Sequence, residues 1–229
     1  MSKLQLTVSF GDYSHTRSLK NGTFVSPRID FEHIDVTPVT SIFRRMVREY
    51  EFDLSEMALS TYLCARSHGK KFSGIPIFLT RSFYHGGISY SVNSGIESVS
   101  DLNGKRIGVR GYTVTPGVWT RGMLQTVYGI DLTSVTWVLS GDEHVEEYEP
   151  PSNVVSSDNN NLIEMLRSRE IDAAIGVGPT DDPRQDRHHQ ARIGASDSSP
   201  DCEPKAEKSC SRTNCVDCGL HQHREIHPA

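Results

Sequence analysis

Hydroxyl-bearing residues precede a helix that is predicted within residues 105–125, KRIGVRGYTVTPGVWTRGMLQ. A short strand and a glycine turn come first, and then Thr115 and Pro116 suit the N-cap and the first position of a helix. Free backbone N–H groups and the positive end of the helix dipole would point at one place, which suits a carboxylate. We therefore take Tyr112, Thr113 and Thr115 as candidate binding residues, with simple helix capping as the alternative.

A second hydroxyl-rich helix start is predicted at Ser60 and Thr61, and this helix runs to about Ser67. Ligands of open α/β sheets bind beyond the carboxyl ends of the strands. A cleft between this start and the one near Thr115 would hold a molecule with two carboxylates. Capping is again the alternative role for both residues.

Composition and charge exclude several classes of protein. The chain has 229 residues, 24 of them basic and 29 acidic, and no basic run, which argues against a nucleic-acid partner. No segment approaches the roughly 20 apolar residues of a membrane span. The N-terminus becomes polar too early for a signal peptide. The sequence therefore predicts a cytoplasmic protein with no membrane partner.

Strands alternate with helices along residues 1–180, which predicts an α/β fold with a largely parallel sheet. An amphipathic helix is predicted at residues 38–50, with its three arginines on the solvent face. Alternating apolar residues predict a strand at residues 75–79. A break near residues 85–93 divides this part into two α/β lobes, residues 1–88 and 89–180.

The composition changes abruptly near residue 180. Residues 181–229 contain no aromatic residue and only four Ile, Leu or Val, so they cannot offset their ordering entropy by burial. We expect this tail to be disordered. It holds four of the five cysteines, and a weak zinc pattern is formed by its C-x-x-C pair and neighbours, Cys210, Cys215, Cys218, His221 and His223. A non-native end of the chain is the favoured interpretation, and no metal site is expected.

Four segments together resemble the 4,5-dihydroxyphthalate decarboxylase family: FDLSEMALSTYL (52–63), IPIFLTRSFYHGGISY (75–90), LNGKRIGVRGYTVTPGVWTRGML (102–124) and REIDAAIG (169–176). The resemblance implies a two-lobed fold like that of the type II periplasmic binding proteins, with a cleft between the lobes. It also implies a cytoplasmic carboxy-lyase of aromatic catabolism that converts 4,5-dihydroxyphthalate, a small aromatic dicarboxylate, to protocatechuate.

The chain departs from the family after residue 180. Members of the family continue for about another hundred residues, a length in line with ordinary domain sizes. In the fold, that part of the chain crosses back to complete the first lobe. The aromatic-free tail stands in its place, so we expect a fold that is incomplete at its C-terminus, with exposed sheet edges and impaired activity.

Loss of CO2 from an electron-rich ring needs a proton at the carbon that carries the carboxylate, and this scheme demands no metal or organic cofactor. His85 is the first candidate for the acid or for a partner of the phenol, with a surface loop position as the alternative. Glu56, in the matching SEM segment, is a candidate acid or hydroxyl acceptor, or else a surface carboxylate. Arg81 would clamp a carboxylate or form an exposed ion pair. Asp12 follows the first strand, where turn formation is its favoured role, and Arg121 is expected to form only an outward salt bridge.

Two other functions stay open. The same fold captures small anions, so a substrate-binding protein of an ABC-type uptake system is the second interpretation. A ligand-sensing or zinc-holding protein that uses the tail is the third. A catalyst would consume its ligand, whereas a receptor would only bind it. The sequence does not decide the oligomeric state, a homo-oligomer included.

Overall fold

The computed structural model describes residues 2–84, 87–91 and 94–177, and the backbone of a strand at Ala191–Ile193. Along these residues the strands are β1 (Leu4–Ser9), β2 (Ile29–His33), β3 (Leu54–Ser55), β4 (Ile88–Tyr90), β5 (Arg106–Val109), β6 (Thr136–Leu139), β7 (Val154–Ser156), β8 (Ala173–Ile175) and β9 (Ala191–Ile193). The α-helices are α1 (Arg17–Lys20), α2 (Val39–Glu49), α3 (Leu59–Ser67), α4 (Thr115–Thr126) and α5 (Leu162–Arg167). None of the described helices is long and apolar enough to cross a membrane.

The strands form two sheets, with strand orders β2-β1-β3 and β7-β6-β5-β8-β4-β9. The first sheet is parallel throughout. In the second sheet β7, β6, β5 and β8 are parallel, whereas β4 runs antiparallel to both of its neighbours. The predicted α/β fold with largely parallel sheets is confirmed. Strand β9 lies within the predicted tail, and the rest of residues 178–229 lies outside the described residues.

Helices cover both faces of the second sheet. Side chains of β6 alternate between two apolar clusters, so that Trp137 packs with Leu124 of α4 while Val138 packs with Met165 of α5. This alternation is the period of a strand, and burial on both faces accounts for the nearly continuous apolar runs. The carboxyl end of β5 is thereby held against the beginning of α4.

Helix α2 confirms the amphipathic helix predicted at residues 38–50. Its apolar face, Ile42, Phe43 and Met46, packs beside the first sheet in a cluster with Phe52. The prediction that its arginines face solvent is wrong for Arg44 and Arg48, which bind Asp142 as described below. The missing signal was the acidic partner, because it lies almost a hundred residues further along the chain.

Two local predictions are wrong. Residues 75–79 form no strand, and Ile75, Ile77 and Phe78 are more than half exposed. An alternating pattern becomes a strand only where a partner strand accepts its hydrogen bonds, and Pro76 also lacks a donor.

Helix α4 begins one residue earlier than predicted, so Val114 is the N-cap and Thr115 the first helical residue.

Candidate functional site

The starts of α3 and α4 contact each other through hydroxyl groups. The hydroxyl oxygens of Ser60 and Thr115 lie 2.8 Å apart, and the backbone N–H of Ser60 donates to Thr115 Oγ1 at 3.3 Å. Both helix starts identified from the sequence therefore meet in one place. Thr115 is free for this contact because Val114 takes the N-cap position.

Arginines of α2 hold the loop of residues 142–147 next to these helix starts. Asp142 forms an ion pair with Arg44 at 2.7 Å and accepts a hydrogen bond from Arg48 at 2.8 Å. Arg48 also donates to the carbonyl of Glu143 at 2.6 Å. Contacts to both side chain and backbone fix the loop more firmly than a single exposed ion pair would.

The carboxylate of Glu143 occupies the anion-binding position that the sequence predicted at α4. It accepts hydrogen bonds from the N–H of Tyr112, from the N–H of Thr113 at 3.0 Å, and from the hydroxyl of Thr113. The turn therefore has the geometry to bind a carboxylate, as expected of free N–H groups before a helix. In this structure the carboxylate belongs to the chain itself. The local sequence pattern of the turn does not indicate Glu143, because Glu143 lies thirty residues beyond the turn.

Thr61 faces the protein interior and forms a hydrogen bond to His144, with Oγ1 2.9 Å from Nδ1. Both residues are buried. Burial, together with the charges of Arg44 and Arg110, lowers the pKa of His144 from 6.5 to about 4. His144 is therefore neutral at pH 7, and the pair connects α3 to the loop of residues 142–147.

A cavity of about 360 Å³ lies between α3 and α4. Its lining includes three of the predicted site residues, Ser60, Tyr112 and Thr113, and further residues of the helices and the adjoining loop, Leu63, Cys64, Ser67, His68, Val118, Arg121 and Tyr148. Burial raises the pKa of the Cys64 thiol, so this side chain stays protonated and is a poor nucleophile. The cavity combines an apolar wall with a few convergent polar groups, as ligand sites do.

Arg121 is the cavity residue whose role the sequence analysis misjudged. Only 7% of it is exposed, and it forms no ion pair with any described carboxylate, so the expected outward salt bridge is absent from the described structure. Its guanidinium lies 3.6 Å from the centre of the Tyr112 ring, and Nη2 donates to the Tyr112 carbonyl at 2.6 Å. Its Nη1 is buried without a hydrogen-bond partner among the described residues.

Glu56 and Asp12 lie near the carboxyl end of β1. Glu56 accepts hydrogen bonds from the N–H of Gly11 at 2.9 Å and from the hydroxyl of Tyr13 at 2.7 Å. Burial and the bond to Glu56 raise the pKa of Tyr13, which therefore keeps its proton. Asp12 is exposed. Neither Glu56 nor Asp12 is part of the cavity lining.

The two candidates of the 75–90 segment are not brought to the cavity by any described contact. Arg81 is exposed and lies 5.8 Å from the centre of the Phe78 ring. His85 lies outside the described residues. The structure also contains no group of three His, Cys, Asp or Glu side chains arranged for a metal ion within its described ranges.

The two sheets and the cavity between two helix starts define the class of protein, a type II periplasmic-binding-protein-like fold. Among solved structures, the alkanesulfonate-binding protein SsuA from Xanthomonas axonopodis pv. citri, bound to MOPS, superposes with a TM-score of 0.53 at 15% identity, over 86% of this chain and 63% of that chain. This likeness establishes the fold. No family model matches the sequence.

Curated relatives then identify the family. A 4,5-dihydroxyphthalate decarboxylase from Pseudomonas putida is 35% identical over 185 residues, which cover 77% of this chain and 71% of the relative. The enzyme of the same name from Comamonas testosteroni is 33% identical over 185 residues, or 77% of this chain and 56% of the relative. The chain belongs to the 4,5-dihydroxyphthalate decarboxylase family, and the family resemblance found in the sequence is confirmed.

Proposed function

We propose that this chain decarboxylates 4,5-dihydroxyphthalate to protocatechuate, with the aromatic ring bound in the cavity between α3 and α4. The names of its relatives support the reaction. The observation that carries the proposal is the carboxylate already bound by the Tyr112–Thr113 turn at the cavity wall. A carboxylate of the substrate would take the place of Glu143 there, because both present the same two oxygens.

The reaction needs a proton, and it needs the electrons of the broken bond to return to the ring. A proton adds to the ring carbon that carries the carboxylate, assisted by electron density from the hydroxyl group para to it. The bond between that carbon and the carboxylate then breaks, its electron pair restores the aromatic ring, and CO2 leaves. Hydrogen bonds to the carboxylate and a proton donor near the ring are what the protein must supply.

One residue suggested by the sequence is proposed to deliver the proton to the ring. His85 is the proposed proton donor, since histidine titrates near neutral pH. Glu56 accepts a phenolic hydroxyl, that of Tyr13, outside the cavity lining, so a contact between Glu56 and a ring in this cavity is not part of the proposal. Ser60 would contribute its hydroxyl group beside the ring, and Thr115 would hold that hydroxyl from outside the cavity lining. A cytoplasmic location and the absence of a nucleic-acid partner belong to the same proposal.

Release of CO2 from 4,5-dihydroxyphthalate by the purified chain tests this function. We expect kcat for release to fall at least tenfold for Thr113→Val, because the substrate carboxylate loses a donor that orients it. The affinity should change little, since Glu143 loses the same donor in the unliganded chain. Thr126→Val is the matched control, since Thr126 is exposed at the other end of α4 and bonds only to Gly122 of its own helix in the described structure. Unchanged release by Thr113→Val would refute the role of the turn.

The same experiment separates a catalyst from a small-anion-binding protein. If 4,5-dihydroxyphthalate binds and is recovered intact with no CO2 released, the uptake-type interpretation replaces decarboxylation. His85→Gln extends the test to the proton donor: it should abolish release while leaving binding within a fewfold of the unmodified chain. Equal release by His85→Gln would remove His85 from the mechanism.

A further inference from the structure

Arg121 is a buried cation that forms no described ion pair, and its nearby counter-charge is the carboxylate of Glu143, which a ligand at the Tyr112–Thr113 turn would displace. A guanidinium keeps its proton in proteins, so burial leaves a charge that needs compensation. The ring of Tyr112 and the carbonyl that accepts from Nη2 provide part of it. Nη1 has no described hydrogen-bond partner, although buried donors are nearly always paired. A residue of this kind at a cavity wall indicates that a ligand completes its contacts.

The surrounding residues fix the direction of this guanidinium. Its bond to the Tyr112 carbonyl places it one residue from the N–H and hydroxyl donors of Thr113. Gly117, one turn before Arg121, leaves room for it, because a Cβ at that position would lie 3.2 Å from Nη1. The cavity lining therefore holds one carboxylate position at the Tyr112–Thr113 turn and, in Arg121, a second group whose Nη1 is buried and has no described hydrogen-bond partner.

We propose that Arg121 binds the second carboxylate of an aromatic ligand whose adjacent carboxylate takes the donors of Tyr112 and Thr113. Arg121 then selects ortho-dicarboxylates over monocarboxylates. The planar fork of arginine suits this task, since it can present Nη1 to the ligand while Nη2 stays on the Tyr112 carbonyl. This inference rests on the ligand class of the proposed function but does not depend on turnover.

Calorimetric titration with phthalate and benzoate tests the inference, because these probes differ by one carboxylate and carry no ring hydroxyl to support the proposed decarboxylation. We expect the unmodified chain to bind phthalate about 10- to 100-fold more tightly than benzoate, the usual effect of a hydrogen bond between charged groups. Arg121→Gln should remove that preference and leave the affinity for benzoate within about twofold. Arg110→Gln is the matched control, since it removes the same charge from an exposed position just after β5.

Every result of these titrations either supports the proposed role of Arg121 or overturns it. A purely structural role of Arg121 would weaken both probes equally in Arg121→Gln, and that result would overturn the proposal. The same holds if the unmodified chain shows no preference for phthalate or binds neither probe. If circular dichroism shows that Arg121→Gln does not fold, the titrations are repeated with Arg121→Lys. An unchanged ratio of the phthalate and benzoate affinities in Arg121→Lys overturns the proposal, and a ratio reduced severalfold supports it. A preference that depends on Arg121 in a chain that releases no CO2 would leave this inference standing while the decarboxylase function fails.

Discussion

Acidification should destabilise this protein through His144. Its pKa is about 4 in the folded chain and returns to about 6.5 on unfolding, because burial and the nearby charges of Arg44 and Arg110 are lost. Between these two values the unfolded chain binds more protons than the folded one, so the free energy of unfolding falls as the pH falls. At 1.36 kcal/mol for each pKa unit, the whole effect is about 3 kcal/mol at pH 4, of which about 2 kcal/mol is lost by pH 5.

Urea unfolding at pH 7 and pH 5, followed by tryptophan fluorescence, measures this loss. The variant His144→Asn keeps a polar atom near Thr61 but cannot titrate, so its stability should change about 2 kcal/mol less between the two pH values. His33 is the matched comparison: burial and the charge of Lys20 lower its pKa as well, so His33→Asn should remove a separate part of the pH dependence. Equal pH dependence in His144→Asn and the unmodified chain would refute the assignment.

Three further changes test the packing around the site by urea unfolding. Glu143→Ala should cost about 2 kcal/mol, because the donors at the start of α4 lose a charged acceptor, and a loss below about 0.5 kcal/mol would show that water replaces it readily. Gly108→Ala should cost about 1–3 kcal/mol, because its Cβ would lie 2.4 Å from Ile171 and 2.8 Å from Leu162 of α5. Gly122→Ala meets no atom within 4 Å and should stabilise α4 by up to about 1 kcal/mol. The opposite order would contradict the packing of Leu162 and Ile171 on β5. Asn161→Ala should cost about 1 kcal/mol, since its side chain accepts from the N–H groups of Ile163 and Glu164, and no loss would mean that the cap contributes nothing to α5.

Local sequence patterns predicted those elements whose stability is decided within the pattern itself. Helix α2 was recognisable because a single apolar face gives a clear period. Residues 75–79 show the opposite case, since their alternating apolar residues have no partner strand and remain exposed. Hydrogen-bond partners lie elsewhere in the chain, and one sequence does not reveal them.

The residues of the candidate site also fall into those that local patterns predicted and those that depend on distant contacts. The hydroxyl groups of Ser60, Thr113 and Thr115 were found from local signals, because helix starts have a recognisable composition. Glu143 was missed and the role of Arg121 was predicted wrongly, because both roles come from tertiary contacts. Glu143 reaches the turn from a loop thirty residues away, and Arg121 is buried by the packing of α4. Arg121 did carry one signal: it is a basic residue five residues before the end of a helix, and its neighbours are mostly apolar or small.

The position of Glu143 also explains why the second carboxylate matters. Because Glu143 already satisfies the donors of Tyr112 and Thr113, a ligand carboxylate that enters there exchanges one set of hydrogen bonds for an equivalent set. Such an exchange contributes little net free energy, so a monocarboxylate would gain mainly from burial of its ring. A second carboxylate at Arg121 meets a donor that has no described partner, and its bond is a net gain. The displaced loop, still held by Arg44 and Arg48 through Asp142, would stay close enough to return when the product leaves.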